Sequence, residues 1–108
     1  MTHVNLESHA RSLAGLVEYQ TGSVVSRSLL SKSMGSVTLF AFDEDQSLSE
    51  HTTPYDALAL ALEGELEITI AGERSRLAHG EVLLMPAHRP HAVRAIERSK
   101  MLLVMVRG

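Results

Sequence analysis

Residues 57–70 read Ala57-Leu58-Ala59-Leu60-Ala61-Leu62-Glu63-Gly64-Glu65-Leu66-Glu67-Ile68-Thr69-Ile70. A period of two runs through both halves, and Glu63-Gly64-Glu65 interrupts it. In a strand, successive side chains point to opposite faces. Leu66, Ile68 and Ile70 therefore share one face, and Glu67 and Thr69 share the other. The first half has alanines on one face and leucines on the other, so neither face is polar. The stretch reads as strand, turn, strand. If the alanines face inward, a closed sheet keeps space behind them; if the leucines do, the interior is filled.

The same rhythm extends both ways. Downstream, Ala71-Gly72 makes a second tight turn. Arg74–Leu77 alternates weakly and ends at Ala78-His79-Gly80. Glu81–Met85 reads as a short buried strand stopped by Pro86, and His91–Glu97 and Met101–Val106 follow. Upstream, Val24–Leu30 and Ser36–Asp43 have strand composition, and the polar, acidic Asp43–Ser49 reads as a loop. Eight or nine short strands with closely spaced turns predict an all-β antiparallel sandwich or barrel. Ahead of them, Leu6, Ala10, Leu13 and Leu16 approximate helical spacing, which predicts one short helix over Leu6–Leu16. The expected organisation is a segment, 1–22, packing on a barrel, 23–108.

Composition narrows the function. At 108 residues the chain suits one domain. Ten Lys+Arg against thirteen Asp+Glu give a net charge of −3, with no basic cluster for nucleic acid. No apolar run approaches the roughly 20 residues of a membrane helix, and the N-terminus lacks the order of a secretory signal. Cysteine is absent, which excludes thiolate metal sites and fits a reducing, cytoplasmic setting. Nucleotide loops and the Gly-x-Ser-x-Gly elbow are missing, so no organic cofactor is expected. Met101–Val106 is apolar on both faces. One face fills the barrel, and the other needs a cover, either the N-terminal segment or, as we favour, a second copy in a homodimer.

Six histidines carry the candidate chemistry: His3, His9, His51, His79, His88 and His91. His3 and His9 lie in polar N-terminal sequence and His79 in a turn, where solvation explains them. The other three fall in two blocks. The first is His51-Thr52-Thr53-Pro54-Tyr55-Asp56-Ala57, followed by Leu62-Glu63-Gly64-Glu65. The second is Gly80-Glu81-Val82-Leu83-Leu84-Met85-Pro86-Ala87-His88-Arg89-Pro90-His91. Together they resemble the two motifs of the cupin superfamily, small conserved-barrel proteins. The resemblance implies a double-stranded β-helix, or jelly-roll barrel. It also implies a divalent metal in a 3-His-1-carboxylate set: a His-x-His pair, a Glu or Gln four residues on, and the second block's histidine. Such a set suits Fe, Mn, Ni, Cu or Zn.

The chain departs from that pattern at two positions. Thr53 stands where the second histidine would be, and Ala57 where the Glu or Gln would be. His51 and His91 remain. Asp56, His88 and Glu50 are the candidate substitutes, so the expected metal ligands are His51, His91, Asp56 and His88, with Zn, Fe, Ni or Mn as the ion. On a regular strand Asp56 points away from the face of Ala57, Glu50 alternates away from His51, and His88 projects from a Pro-flanked loop. Met85, Met101 and Met105 read as core filler. The implied function is a small cupin that binds a small molecule in its barrel, through such a metal. The alternative is a metal-free binding or sensing domain with a degraded ligand set. A neutral histidine acting as general base is the metal-free catalytic version. Whether the chain turns over a substrate stays open.

Overall fold

The structure, a computed structural model, describes residues 6–7 and 9–108; His3 lies outside them. Nine strands follow one 3-10 turn at Ala14–Leu16: β1 (Val24–Lys32), β2 (Gly35–Phe42), β3 (Ser47–His51), β4 (Asp56–Glu63), β5 (Glu65–Ile70), β6 (Glu73–Ala78), β7 (Val82–Met85), β8 (His91–Ala95) and β9 (Ser99–Val106). They form two antiparallel sheets, one ordered β1-β2-β9-β4-β7 and the other β3-β8-β5-β6. This is the all-β jelly-roll architecture expected, with the core between the sheets.

The alternation in β4 resolves in favour of the alanines. Ala57, Ala59 and Ala61 are buried, whereas Leu58 is 42% exposed. Alanine is small, so the interior behind β4 is shallowly filled from this side. Leu66 and Ile68 on β5, Leu77 on β6 and Val93 and Ala95 on β8 close the core from the other sheet. Two turns need positive φ. Ala71 (φ 48°) and Gly72 (φ 85°) join β5 to β6, the primed geometry that matches strand twist. Gly64 (φ 73°) joins β4 to β5, and a Cβ there would run into the Arg98 carbonyl and Ser99. Only glycine fits that approach.

Three sequence expectations change. The predicted helix over Leu6–Leu16 shrinks to the turn Ala14–Leu16; so short a segment gains too few helical hydrogen bonds to nucleate alone. Leu16 and Val17, consecutive rather than helically spaced, bury together against Leu39 and Ala41 on the outer face of the five-stranded sheet. The acidic loop ends at 46, because Leu48 within it packs against the core and β3 begins at Ser47. Finally, β7 is an edge strand buried only at Met85, with Val82 and Leu84 exposed.

Candidate functional site

Strands β3 and β8 run antiparallel, and their register sets His51 opposite His91. The two imidazoles lie edge to face, with ring centroids 4.3 Å apart. His91 is buried and His51 is exposed at the mouth. Both rings line one cavity of about 280 Å³, with Phe40, Leu48, Met85, Val93, Met101, Leu103 and Met105 as the rest of its wall. Residues 40 apart in sequence thus meet inside the barrel.

Backbone carbonyls set the tautomer of both rings. Nδ1 of His51 lies 2.8 Å from the Ser49 carbonyl oxygen, and Nδ1 of His91 lies 3.2 Å from that of Arg89. A carbonyl only accepts, so each Nδ1 carries the proton and the neutral ring keeps its lone pair on Nε2. Among the described residues no buried side-chain nitrogen or oxygen lacks a partner. The two Nε2 atoms, which have no partner among the described residues, are therefore accessible to solvent, on rings that line the cavity. Burial holds the His91 pKa below the ordinary histidine value, and the neighbouring His51 pushes the same way, against the Arg89 hydrogen bond. The pair thus offers hydrogen-bonding nitrogens within an apolar wall.

The other candidates sit elsewhere. The carboxylate of Asp56 accepts a hydrogen bond from the Ala87 N–H at 2.8 Å, where it ties the start of β4 to the loop after β7. His88 is exposed at a positive-φ position (68°), and its N–H donates to the Thr53 carbonyl. Glu50 is exposed. None of the three lines the cavity. Thr53 accepts from the Tyr55 N–H through its hydroxyl. Among the described residues, no group of three or more His, Cys, Asp or Glu is placed to hold a metal ion. His9 and His79 are exposed.

The reading of Met85, Met101 and Met105 as core residues holds, and the structure adds that they line this cavity. Met101, Leu103 and Met105 share the inner face of β9, and Met85 is the one buried residue of β7. Their two-residue spacing in Met101–Val106 was the signal. A larger depression of about 580 Å³ lies between residues 15–20 and 25–27. Its one arginine, Arg27, already donates to the Leu16 carbonyl.

Known proteins agree with this architecture. A comparison with curated proteins gives no match. Among solved structures, a conserved protein of unknown function from Streptococcus pyogenes is 36% identical, with a TM-score of 0.89 over 100% of this chain and 96% of that one. A cupin superfamily protein from Desulfitobacterium hafniense is 34% identical, with a TM-score of 0.85 over 89% and 88%. A cupin 2 conserved barrel domain protein from Leptotrichia buccalis is 39% identical, with a TM-score of 0.89 over 92% of this chain and 48% of that one. The model of the cupin domain matches residues 38–107, which hold both histidines and eight of the nine strands in whole or in part. The chain belongs to the cupin domain family.

Proposed function

We propose that this chain binds a small molecule inside its barrel, with His51 and His91 as the polar contacts. The observation that carries the reading is the imidazole pair, with free Nε2 atoms, at the mouth of an otherwise apolar cavity. Such a site suits a compact ligand with an apolar body and a hydroxyl or N–H that donates to Nε2. Among the described residues no carboxylate lines the cavity to orient an acid–base step, and this favours binding over turnover. Phenol and short branched alcohols are suitable probes. Their addition should shift the NMR signals of His51 and His91. His51→Ala should weaken binding roughly tenfold, the worth of one hydrogen bond of about 1.4 kcal/mol. Shifts confined to other surfaces, or unchanged affinity in a His51→Ala/His91→Ala double variant, would sink the reading.

A divalent metal of the family's type is the finer reading, and His51 and His91 are the residues that would hold it. The remaining donors do not fit. Thr53 and Ala57 stand in two ligand positions, Asp56 is engaged with Ala87, and His88 faces solvent. Two imidazoles alone leave a hard divalent ion under-coordinated.

We further propose a homodimer through the outer face of β4 and β7. There Leu58, Val82, Leu84 and Val106 are 42–57% exposed, on strands that pair side by side, beyond the part that Leu16 and Val17 cover. A contiguous apolar patch on a small protein marks an interaction surface. Sedimentation should show a dimer that Leu84→Lys splits into folded monomers; a monomeric wild type refutes it.

A further inference from the structure

We propose that the barrel is a site for monovalent copper, held by Nε2 of His51 and His91 together with thioether sulfur from Met85 and Met105. The argument starts at Ala57, where the resemblance implies a carboxylate. In the five-stranded sheet Ala57 pairs with Met85 on β7 and with Met105 on β9. The missing oxygen donor is therefore flanked on both sides by a methionine. The opposite sheet supplies His51 and His91 in register. All four side chains line the same cavity, and Met101 lines it deeper along β9. Three of the chain's five methionines thus converge on one wall. Met85 and Met101 are buried in the core and Met105 packs against it, and the cavity of about 280 Å³ that they line is not closed by them.

The donor set selects the ion. Thioether sulfur is soft and favours Cu(I), whereas Zn, Fe, Ni and Mn gain from the carboxylate that Ala57 lacks. The ligands are all neutral, and the wall beyond them is apolar. The cost of burying an ion rises with the square of its charge, so a divalent ion costs about four times as much as a monovalent one here. The Ser49 and Arg89 carbonyls hold Nδ1 of both rings, which presents Nε2 to a metal in the manner of an outer-shell partner. This inference shares the cavity of the small-molecule reading but stands on the sulfur atoms of its methionines, where that reading uses only their apolar surface.

The test uses the full chain, oxygen-free, with Cu(I) supplied as its bicinchoninate complex. The protein should withdraw one equivalent from the chelator, and X-ray absorption of the loaded protein should show both nitrogen and sulfur neighbours. Met85→Leu/Met105→Leu conserves volume. It should lose the sulfur signal and weaken Cu(I) binding by at least about tenfold, while the NMR fingerprint of the fold persists. Failure to withdraw Cu(I), or a double variant that binds it as tightly through nitrogen alone, overturns the proposal. So does an equal loss of Zn(II) binding in that variant. Phenol binding by the copper-free wild type, measured through the His51 and His91 signals, keeps the small-molecule reading separate from either failure.

Discussion

The covered outer face of the five-stranded sheet and the cavity between the two sheets handle their polar groups in opposite ways. On the outer side, under the N-terminal segment, each is engaged. Lys100 is nearly buried, and its Nζ donates to the Ala14 carbonyl at 2.7 Å and sits 5.1 Å above the Tyr19 ring. The Tyr19 hydroxyl donates to Glu63 at 2.8 Å, and burial with that carboxylate raises its pKa. Arg98 stacks on the same ring and pairs with Asp43, whose carboxyl is lowered to about 2 by the Gly22 N–H and the Arg98 guanidinium. On the inner side, in the cavity that β3 and β8 of the opposite sheet help to wall, the His51–His91 pair satisfies only one nitrogen per ring. A closed network fastens a segment, whereas open acceptors in an apolar wall await something from outside. The outer side is therefore read as structural and the inner side as functional.

The strongest way to break this contrast is Leu39→Ala. Leu39 is fully buried between Leu16, Val17 and the sheet. Truncation should cost about 2–5 kcal/mol in chemical denaturation, with phenol affinity per folded molecule unchanged. A loss under about 0.5 kcal/mol, the range of ordinary surface changes, would mean that the N-terminal segment does not secure the sheet. His51→Ala should show the converse. Its side chain is exposed, so stability should move by no more than about 0.5 kcal/mol while ligand affinity falls.

These two outcomes bear on what the sequence disclosed. The period of two in residues 57–70, the turn at Gly64 and the spacing from Gly80 to Pro86 to His91 were enough for the barrel, because alternation and turn chemistry are local. The facing of His51 and His91 was legible through the family resemblance, since strand register is a long-range property that no local pattern states. Asp56 could not be placed from sequence: its role depends on the Ala87 N–H, a partner 31 residues away. That two of the core methionines flank one position was hidden for the same reason. Met85 and Met105 become neighbours only through pairing with Ala57. The short N-terminal helix is realised only as the 3-10 turn Ala14–Leu16, followed by burial of Leu16 and Val17 against the sheet.

The smallest expected effect separates the sides by pH. Burial lowers the His91 pKa in the fold, so the unfolded chain binds the proton more readily. The resulting stability is fully present above the unfolded value of about 6.5 and is lost as pH falls through the folded value. Besides His51, the groups around the ring are the Arg89 carbonyl and apolar side chains, so no carboxylate in the wall offsets a proton there. Between about pH 7 and pH 5 the melting temperature of the wild type should fall, and that of His91→Gln should fall less. On the outer side, the Asp43 carboxyl, held near 2, remains ionised throughout this range. Asp43→Asn should therefore keep the wild-type slope while lowering the whole curve. Parallel slopes for wild type and His91→Gln would show that the inner imidazole is solvated well enough to accept its proton, and the distinction between an engaged outer side and an open, desolvated inner side would be lost.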